Sequence, residues 1–143
     1  MKAKPKLPSQ IVGNVGMYYV CFRLSELGLN VMPTARNAKG IDIVAYRADG
    51  KGFLGIQVKS FSKRSAIPLG ACLDNVMGNV WCVVVRQKDG CLATYVLTPQ
   101  QIKDGAHQDG NGWWWVEPKK YELPECRDNW KFVLKAAARA AKT

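Results

Sequence analysis

The sequence predicts a mixed α/β fold, in which a β-sheet with a central antiparallel hairpin is flanked by helices on its faces. Three observations predict it. A long helix with an uncharged middle lies near the N-terminus and precedes three extended segments separated by turns, a continuous apolar run follows at residues 80–85, and an alanine-rich helix closes the chain. An order of helix, strands and late helix is typical of a mixed sheet covered by helices.

The length of 143 residues fits a single domain with one core. Residues 1–8 carry three lysines and two prolines, which predicts a flexible basic arm before one domain over residues 9–143. No internal repeat and no second domain is visible.

The first half of the domain begins with a helix predicted from Ser9, as its N-cap, to Leu27, with Gly28 as its stop. Its middle carries no charge on any face, which predicts burial between two layers. Extended segments follow at 30–36, 41–47 and 53–61, separated by a turn at 37–40 and by the hairpin signal Asp49-Gly50.

The second half begins with a predicted loop over residues 62–78. The run 80–85 predicts a strand covered on both faces, and residues 91–97 predict a strand that returns beside it. Thr98-Pro99 predicts the start of a short helix. Residues 105–120 are expected to be irregular, and Asp128 is expected to cap a last helix over residues 129–142.

The charge points to a polyanionic partner. Twenty-one Lys and Arg against eleven Asp and Glu give a formal charge of +10, and a basic surface gains affinity for nucleic acid when bound phosphates release their counterions. A soluble basic protein without such a partner is the alternative. No membrane span and no export signal can be read, so a cytoplasmic location is expected.

The five cysteines, at 21, 72, 82, 91 and 126, form no Cys-x-x-Cys pair, and there is one histidine. Buried free thiols in a reducing compartment are therefore expected, rather than a structural zinc site.

Three polar side chains are placed to act together. Along an extended segment Gln57 and Lys59 point to one face and Val58 to the other. The preceding hairpin brings Asp42 beside that pair. A carboxylate and an amide oxygen can bind a hard cation such as Mg²⁺, and an ammonium group can position water or neutralise a phosphate.

This arrangement resembles the restriction-endonuclease-like PD-(D/E)xK superfamily. The motif is Gly40-Ile41-Asp42, a fourteen-residue spacer, then Gln57-Val58-Lys59. The Gln form is similar to that of modification-dependent restriction nucleases, and the layout is similar to archaeal Holliday-junction resolvases. Residues 13–28 of the helix extend the resemblance over about half of the chain, and residues 95–99 and 127–130 resemble small uncharacterised bacterial members.

The resemblance implies a DNA endonuclease that depends on Mg²⁺ or Mn²⁺. Asp42, Gln57 and Lys59 would be catalytic, and Asp42, Gln57 and the Val58 carbonyl would bind the metal. Relatives are often dimers, so a homodimer is a further expectation. Many members carry a glutamate on the first helix where this chain has Met17, which predicts weak metal binding and leaves a catalytically inactive nucleic-acid-binding or protein-interaction module as the alternative.

Candidate phosphate contacts follow the motif and recur on the last helix. They are Ser60, Lys63, Arg64, Lys131, Lys135 and Arg139, with Lys142 continuing the helical stripe. A solvated basic face is the alternative. Trp113-Trp114-Trp115 could stack on unpaired bases, although three consecutive side chains cannot all face one way on an extended segment. His107, in a polar loop, has no partner visible in the sequence.

Overall fold

The computed structural model describes residues 5–35 and 39–143. The helices are α1 (Ser9–Glu26), α2 (Pro99–Gly105), α3 (Pro118–Tyr121) and α4 (Trp130–Ala140). The strands are β1 (Asn30–Pro33), β2 (Ile43–Tyr46), β3 (Leu54–Phe61), β4 (Ile67–Gly70), β5 (Val80–Arg86), β6 (Leu92–Leu97), β7 (Ala106–Gln108) and β8 (Trp114–Val116).

The central sheet has the strand order β1-β2-β3-β5-β6. β1, β2 and β3 are joined by antiparallel pairing, β5 lies parallel to β3, and β6 returns antiparallel beside β5. The predicted antiparallel unit and the mixed sheet are therefore both present. Of the predicted basic arm, residues 5–8 are exposed and lie outside any helix or strand, and residues 1–4 lie outside the described residues. The predicted turn at 37–40 also falls partly outside them.

Strand β5 lies inside the sheet, between β3 and β6, and separates two apolar cores, as its unbroken apolar sequence predicted. Val80, Cys82 and Val84 contribute to the core beneath α1 and α4. Trp81, Val83 and Val85 alternate with them and contribute to the core on the opposite face of the sheet.

Helix α1 lies on the outside of the molecule, so the prediction that it is buried between two layers was wrong. One face packs on the sheet, while Ile11, Tyr18 and Phe22 remain exposed. The absence of charge therefore did not mean that all faces are covered. Ser9 is the first helical residue rather than the cap, because Pro8 occupies that position without a side-chain hydrogen bond.

A small second sheet covers the other face, where a loop and an irregular segment were expected. Its order is β4-β8-β7, and α2 and α3 accompany it. These strands have three or four residues each, and such lengths show too little periodicity to be recognised from sequence. Their inward side chains, which include Ile67, Leu69 and Val116, complete the second core.

The two later helices differ in how well their starts were predicted. Thr98 and Gln101 form a reciprocal capping box at α2, as expected from Thr98-Pro99. The N-cap of α4 is Asn129 rather than Asp128, because Asp128 adopts a φ of 51° and its N–H donates to the Thr94 carbonyl. Among the described residues, no helix is long and apolar enough to cross a membrane.

Candidate active site at the end of the central hairpin

Asp42 lies where the β2–β3 pairing ends. Ile43 pairs with Ile56, and the Asp42 N–H still donates to the Ile56 carbonyl at 2.8 Å. Two residues further along β3, the Val58 N–H donates instead to the Asp42 carboxylate, at 2.8 Å to Oδ2. The carboxylate thus takes the place of a strand carbonyl, and this bond fixes it against the middle of the motif.

Gln57 and Lys59 lie on the face of β3 that is turned away from α1. Their partners on β5 are Trp81 and Val83, and both side chains line a cavity of about 310 Å³. The Lys59 Nζ lies 5.7 Å from the centre of the Trp81 ring, within the range of a cation–π contact.

Burial lowers the pKa of Lys59 below its usual range, and the nearby Asp42 charge opposes that shift. Desolvation penalises the ammonium, whereas a neighbouring carboxylate favours it. The direction of the net shift shows that desolvation is the larger effect here. The fold therefore brings Asp42, Gln57 and Lys59 together around Val58.

The cavity contains residues that sequence reasoning missed. Its other walls come from β4, from the segment that follows it and from the turn before Asp42, and they include Pro68, Gly70, Asn75, Met77 and Lys39. β4 was not predicted as a strand, so nothing in the sequence connected it to the motif.

In the sequence, Gly40 is the residue that could have indicated a close contact with the cavity wall at this point. Its φ is +74°, and a Cβ atom built there would lie 2.3 Å from the Met77 methyl carbon. The backbone conformation therefore favours glycine at the start of the motif, and a Cβ atom there would also displace the end of the Met77 side chain.

The oxygen donors fit a loosely held hard cation. The hydrogen bond to Val58 uses Asp42 Oδ2 and leaves Oδ1 available to a ligand. Gln57 offers an amide oxygen, and the Val58 carbonyl points to the same side of β3 as the Val58 N–H. Mg²⁺ commonly takes one or two carboxylates and completes its octahedron with water and phosphate oxygens. Residues 5–35 and 39–143 contain no group of three or more His, Cys, Asp or Glu that could hold a metal.

Met17 does not face this cavity. It packs in the apolar cluster beneath α1, together with Val58. On the same side, the Ser60 hydroxyl donates to the Val12 carbonyl at 2.7 Å, and Ser60 packs against Gly16. Ser60, a candidate phosphate contact, thus binds the helix to the sheet, and we leave it out of the proposed DNA contacts.

Lys63 and Arg64 follow β3 and are exposed. They line a cleft of about 670 Å³ together with Arg86, the last residue of β5, and Lys88, which follows that strand. Arg64 also forms a 2.7 Å ion pair with Glu122. The carboxyl ends of two parallel neighbouring strands thus gather four cationic side chains beyond the candidate site.

The basic stripe of α4 lies on the opposite layer. Lys131, Lys135 and Arg139 are exposed on a helix that packs on the α1 side of the sheet. Arg139 lines a larger cleft of about 1030 Å³ beside the β2–β3 turn, and none of the three motif side chains lines it. The structure therefore separates this stripe from the candidate site.

The solved structures that are similar to this chain include two nucleases. The bacterial homing endonuclease I-Ssp6803I superposes with a TM-score of 0.66 at 14% identity, over 96% of this chain and 100% of that chain. The Holliday junction resolvase Hjc from the archaeal hyperthermophile Archaeoglobus fulgidus superposes with a TM-score of 0.52 at 17% identity, over 78% of this chain and 88% of that one. No protein-family model and no curated protein sequence matches the chain. At these identities the similarities establish the fold alone.

Proposed function

We propose, on the premise that this chain has the restriction-endonuclease-like PD-(D/E)xK fold that its sequence resembles, that it is a metal-dependent DNA endonuclease. One observation carries the proposal. The Asp42 carboxylate is held at the backbone N–H of Val58, and the side chains of the two residues that flank Val58, Gln57 and Lys59, line one cavity. The formal charge of +10 suits a polyanionic substrate.

Each residue has a role that follows from its placement. Asp42 Oδ1, the Gln57 amide oxygen and the Val58 carbonyl would hold Mg²⁺ or Mn²⁺. The ion would supply a Lewis acid for the phosphate and lower the pKa of bound water. The Lys59 ammonium, fixed beside Trp81 and Asp42, would stabilise the negative charge that develops on the phosphate as water attacks and the ester oxygen departs.

Divalent-dependent cleavage tests this function. Wild-type protein, Asp42→Asn and Lys59→Ala are compared on plasmid, branched and single-stranded DNA with Mg²⁺ and Mn²⁺. Asp104→Asn is the matched control, because Asp104 is an exposed carboxylate on α2, outside the cavity. We expect cleavage by the wild type and the control, and loss of cleavage in both site variants. Equal cleavage by Asp42→Asn and the wild type would overturn the assignment.

A binding module without catalysis is the second candidate. The observation that favours it is the scarcity of acidic ligands: the part of the chain that the structure describes holds no group of three or more His, Cys, Asp or Glu that could bind a metal, and Met17 packs in the apolar cluster on the other face of the sheet. Fewer anionic ligands mean weaker binding of hard cations. Salt-sensitive DNA binding without cleavage under any divalent ion would select this candidate.

The expected homodimer and the expected cytoplasmic location belong to the same proposal. Sedimentation of the purified protein with and without DNA measures the first, and fractionation of the source cells measures the second.

A further inference from the structure

The outer face of the small sheet carries a row of aromatic and ring-bearing side chains. Trp114 and Val116 point into the second core, and alternation along the strand therefore turns Trp113 and Trp115 outwards. In the register of the sheet, Trp115 lies between Pro68 of β4 and His107 of β7. We call Trp113, Trp115, His107 and Pro68 the aromatic platform.

A hydrogen-bond network fixes the platform in place. Asp109 Oδ2 accepts from the Trp115 indole N–H at 2.8 Å, and Asp109 Oδ1 accepts from the backbone N–H groups of Asn111 and Trp113 at 2.8 and 3.0 Å. The Asp109 N–H in turn donates to the Trp113 carbonyl at 2.8 Å. One carboxylate thus fixes the orientation of the Trp115 ring and the conformation of the turn that contains Trp113.

The platform adjoins the candidate active site. Pro68 and Gly70 line the cavity that contains Gln57 and Lys59, and their partners across β4–β8 are Trp115 and Trp114. Paired strands lie about 5 Å apart, so Trp115 lies one strand spacing from Pro68, which belongs both to the platform and to the cavity wall. Trp113 is nevertheless 51% exposed, which leaves the indole available to a ligand.

We propose that the aromatic platform stacks on an unpaired nucleobase next to the phosphate bound in the cavity, so that the preferred substrate is DNA with unpaired or extruded bases. This inference rests on the proposed function and deepens it. An exposed aromatic ring can stack on any of the four bases. The platform also adjoins the cavity that would bind a phosphate of the same DNA strand. A ring held in advance by Asp109 loses little freedom on binding.

Equilibrium binding in EDTA tests the platform without cleavage. The probes are a fluorescein-labelled single strand, a fully paired duplex, and the same duplex with one extrahelical base. We expect Trp113→Ala to weaken binding to the single strand and to the extrahelical-base duplex roughly 5- to 150-fold, the range found when a stacking aromatic is truncated. Binding to the fully paired duplex should not change, and Trp113→Phe should retain most of the affinity.

The matched control is Phe22→Ala. Phe22 is 58% exposed on α1, on the layer opposite to the platform, and its removal should leave all three affinities unchanged. Unchanged affinity in Trp113→Ala, an equal loss on all three probes, an equal loss in Phe22→Ala, or no binding of the single strand by the wild type would each overturn the proposal. A change of oligomeric state in Trp113→Ala with unchanged DNA affinity would assign the face to a protein partner and overturn it as well.

Failure of the platform and failure of the proposed function are distinguishable. If only the platform is wrong, Asp42-dependent cleavage persists while Trp113→Ala binds normally. If only the catalytic proposal is wrong, binding still depends on Trp113 and no divalent ion supports cleavage.

Discussion

The Asp42 carboxylate accepts the Val58 backbone N–H at 2.8 Å, two residues along β3 from Ile56, whose carbonyl accepts the Asp42 backbone N–H. This bond does two things. It satisfies a strand N–H that has no β2 carbonyl opposite it, and it holds one carboxylate oxygen so that the other is free for a ligand. The same side chain thus has a structural and a chemical task, which substitutions can separate.

Asp42→Ala should both unfold more easily and fail to cleave DNA, whereas Asp42→Asn should only fail to cleave. Alanine leaves the Val58 N–H without its acceptor, at a cost of about 1 kcal/mol or more in the free energy of unfolding. Asparagine keeps an acceptor oxygen and removes the charge. Urea unfolding curves with parallel plasmid assays measure the two effects. Full activity in the folded asparagine variant would contradict the role of the charge.

The Lys59 ammonium should titrate below the ordinary lysine value of 10.5, and Asp42→Asn should lower its pKa further. Burial favours the neutral amine and the Asp42 charge opposes it, so removal of that charge leaves burial unopposed. Nuclear magnetic resonance of the lysine ε-carbons follows the titration directly, with exposed Lys103 as the control. A pKa unchanged by Asp42→Asn would show that the two groups do not interact.

The same shift predicts how Lys59 affects stability. The folded protein releases this proton at lower pH than the unfolded chain, so the unfolded chain binds more protons between the folded pKa and 10.5. The unfavourable contribution of Lys59 is therefore full below its folded pKa and disappears as the pH rises through that window. Lys59→Met should abolish this part of the pH dependence of unfolding.

Gly40→Ala should destabilise the protein more than Gly50→Ala. Both glycines have a φ near +75°, but a Cβ at residue 40 meets Met77 at 2.3 Å and a Cβ at residue 50 meets nothing within 4 Å. Residue 50 thus reports the conformational cost alone, about 1 kcal/mol, and the excess at residue 40 reports the close approach of Met77. Thermal unfolding measures both, and equal losses would exclude a role for Met77. Only Gly40→Ala should also reduce cleavage, because Gly40 and Met77 line the cavity and Gly50 does not.

Charge reversal at the ends of β3 and β5 should weaken DNA binding more than charge reversal on α4. The pairs compared are Lys63→Glu with Lys88→Glu, and Lys131→Glu with Lys135→Glu, which change the net charge equally. The first pair lines the cleft beyond the candidate site, while the second lies on the opposite layer. Each lost phosphate contact should also reduce the salt dependence of the binding constant by a slope of about 1. A larger effect of the α4 pair would place the DNA on the other face of the sheet.

The sequence by itself determined the framework of the fold. The uninterrupted apolar run of β5 predicted a strand covered on both faces, and the Asp49-Gly50 turn predicted that β2 and β3 are antiparallel. That register, with the alternation of side chains along β3, was enough to predict that Asp42, Gln57 and Lys59 lie together. These features are local, because they depend on residues within about twenty positions of one another.

Only the tertiary structure decided what surrounds that motif. Strands of three or four residues carry no readable period, so the small sheet, and with it Pro68 and Gly70 in the wall of the cavity, could not be foreseen. Which side chains are buried and which remain exposed also depends on packing between distant segments of the chain. That packing left Phe22 exposed on a helix whose middle is uncharged, turned Ser60 towards Val12, and left Trp113 exposed rather than in the core.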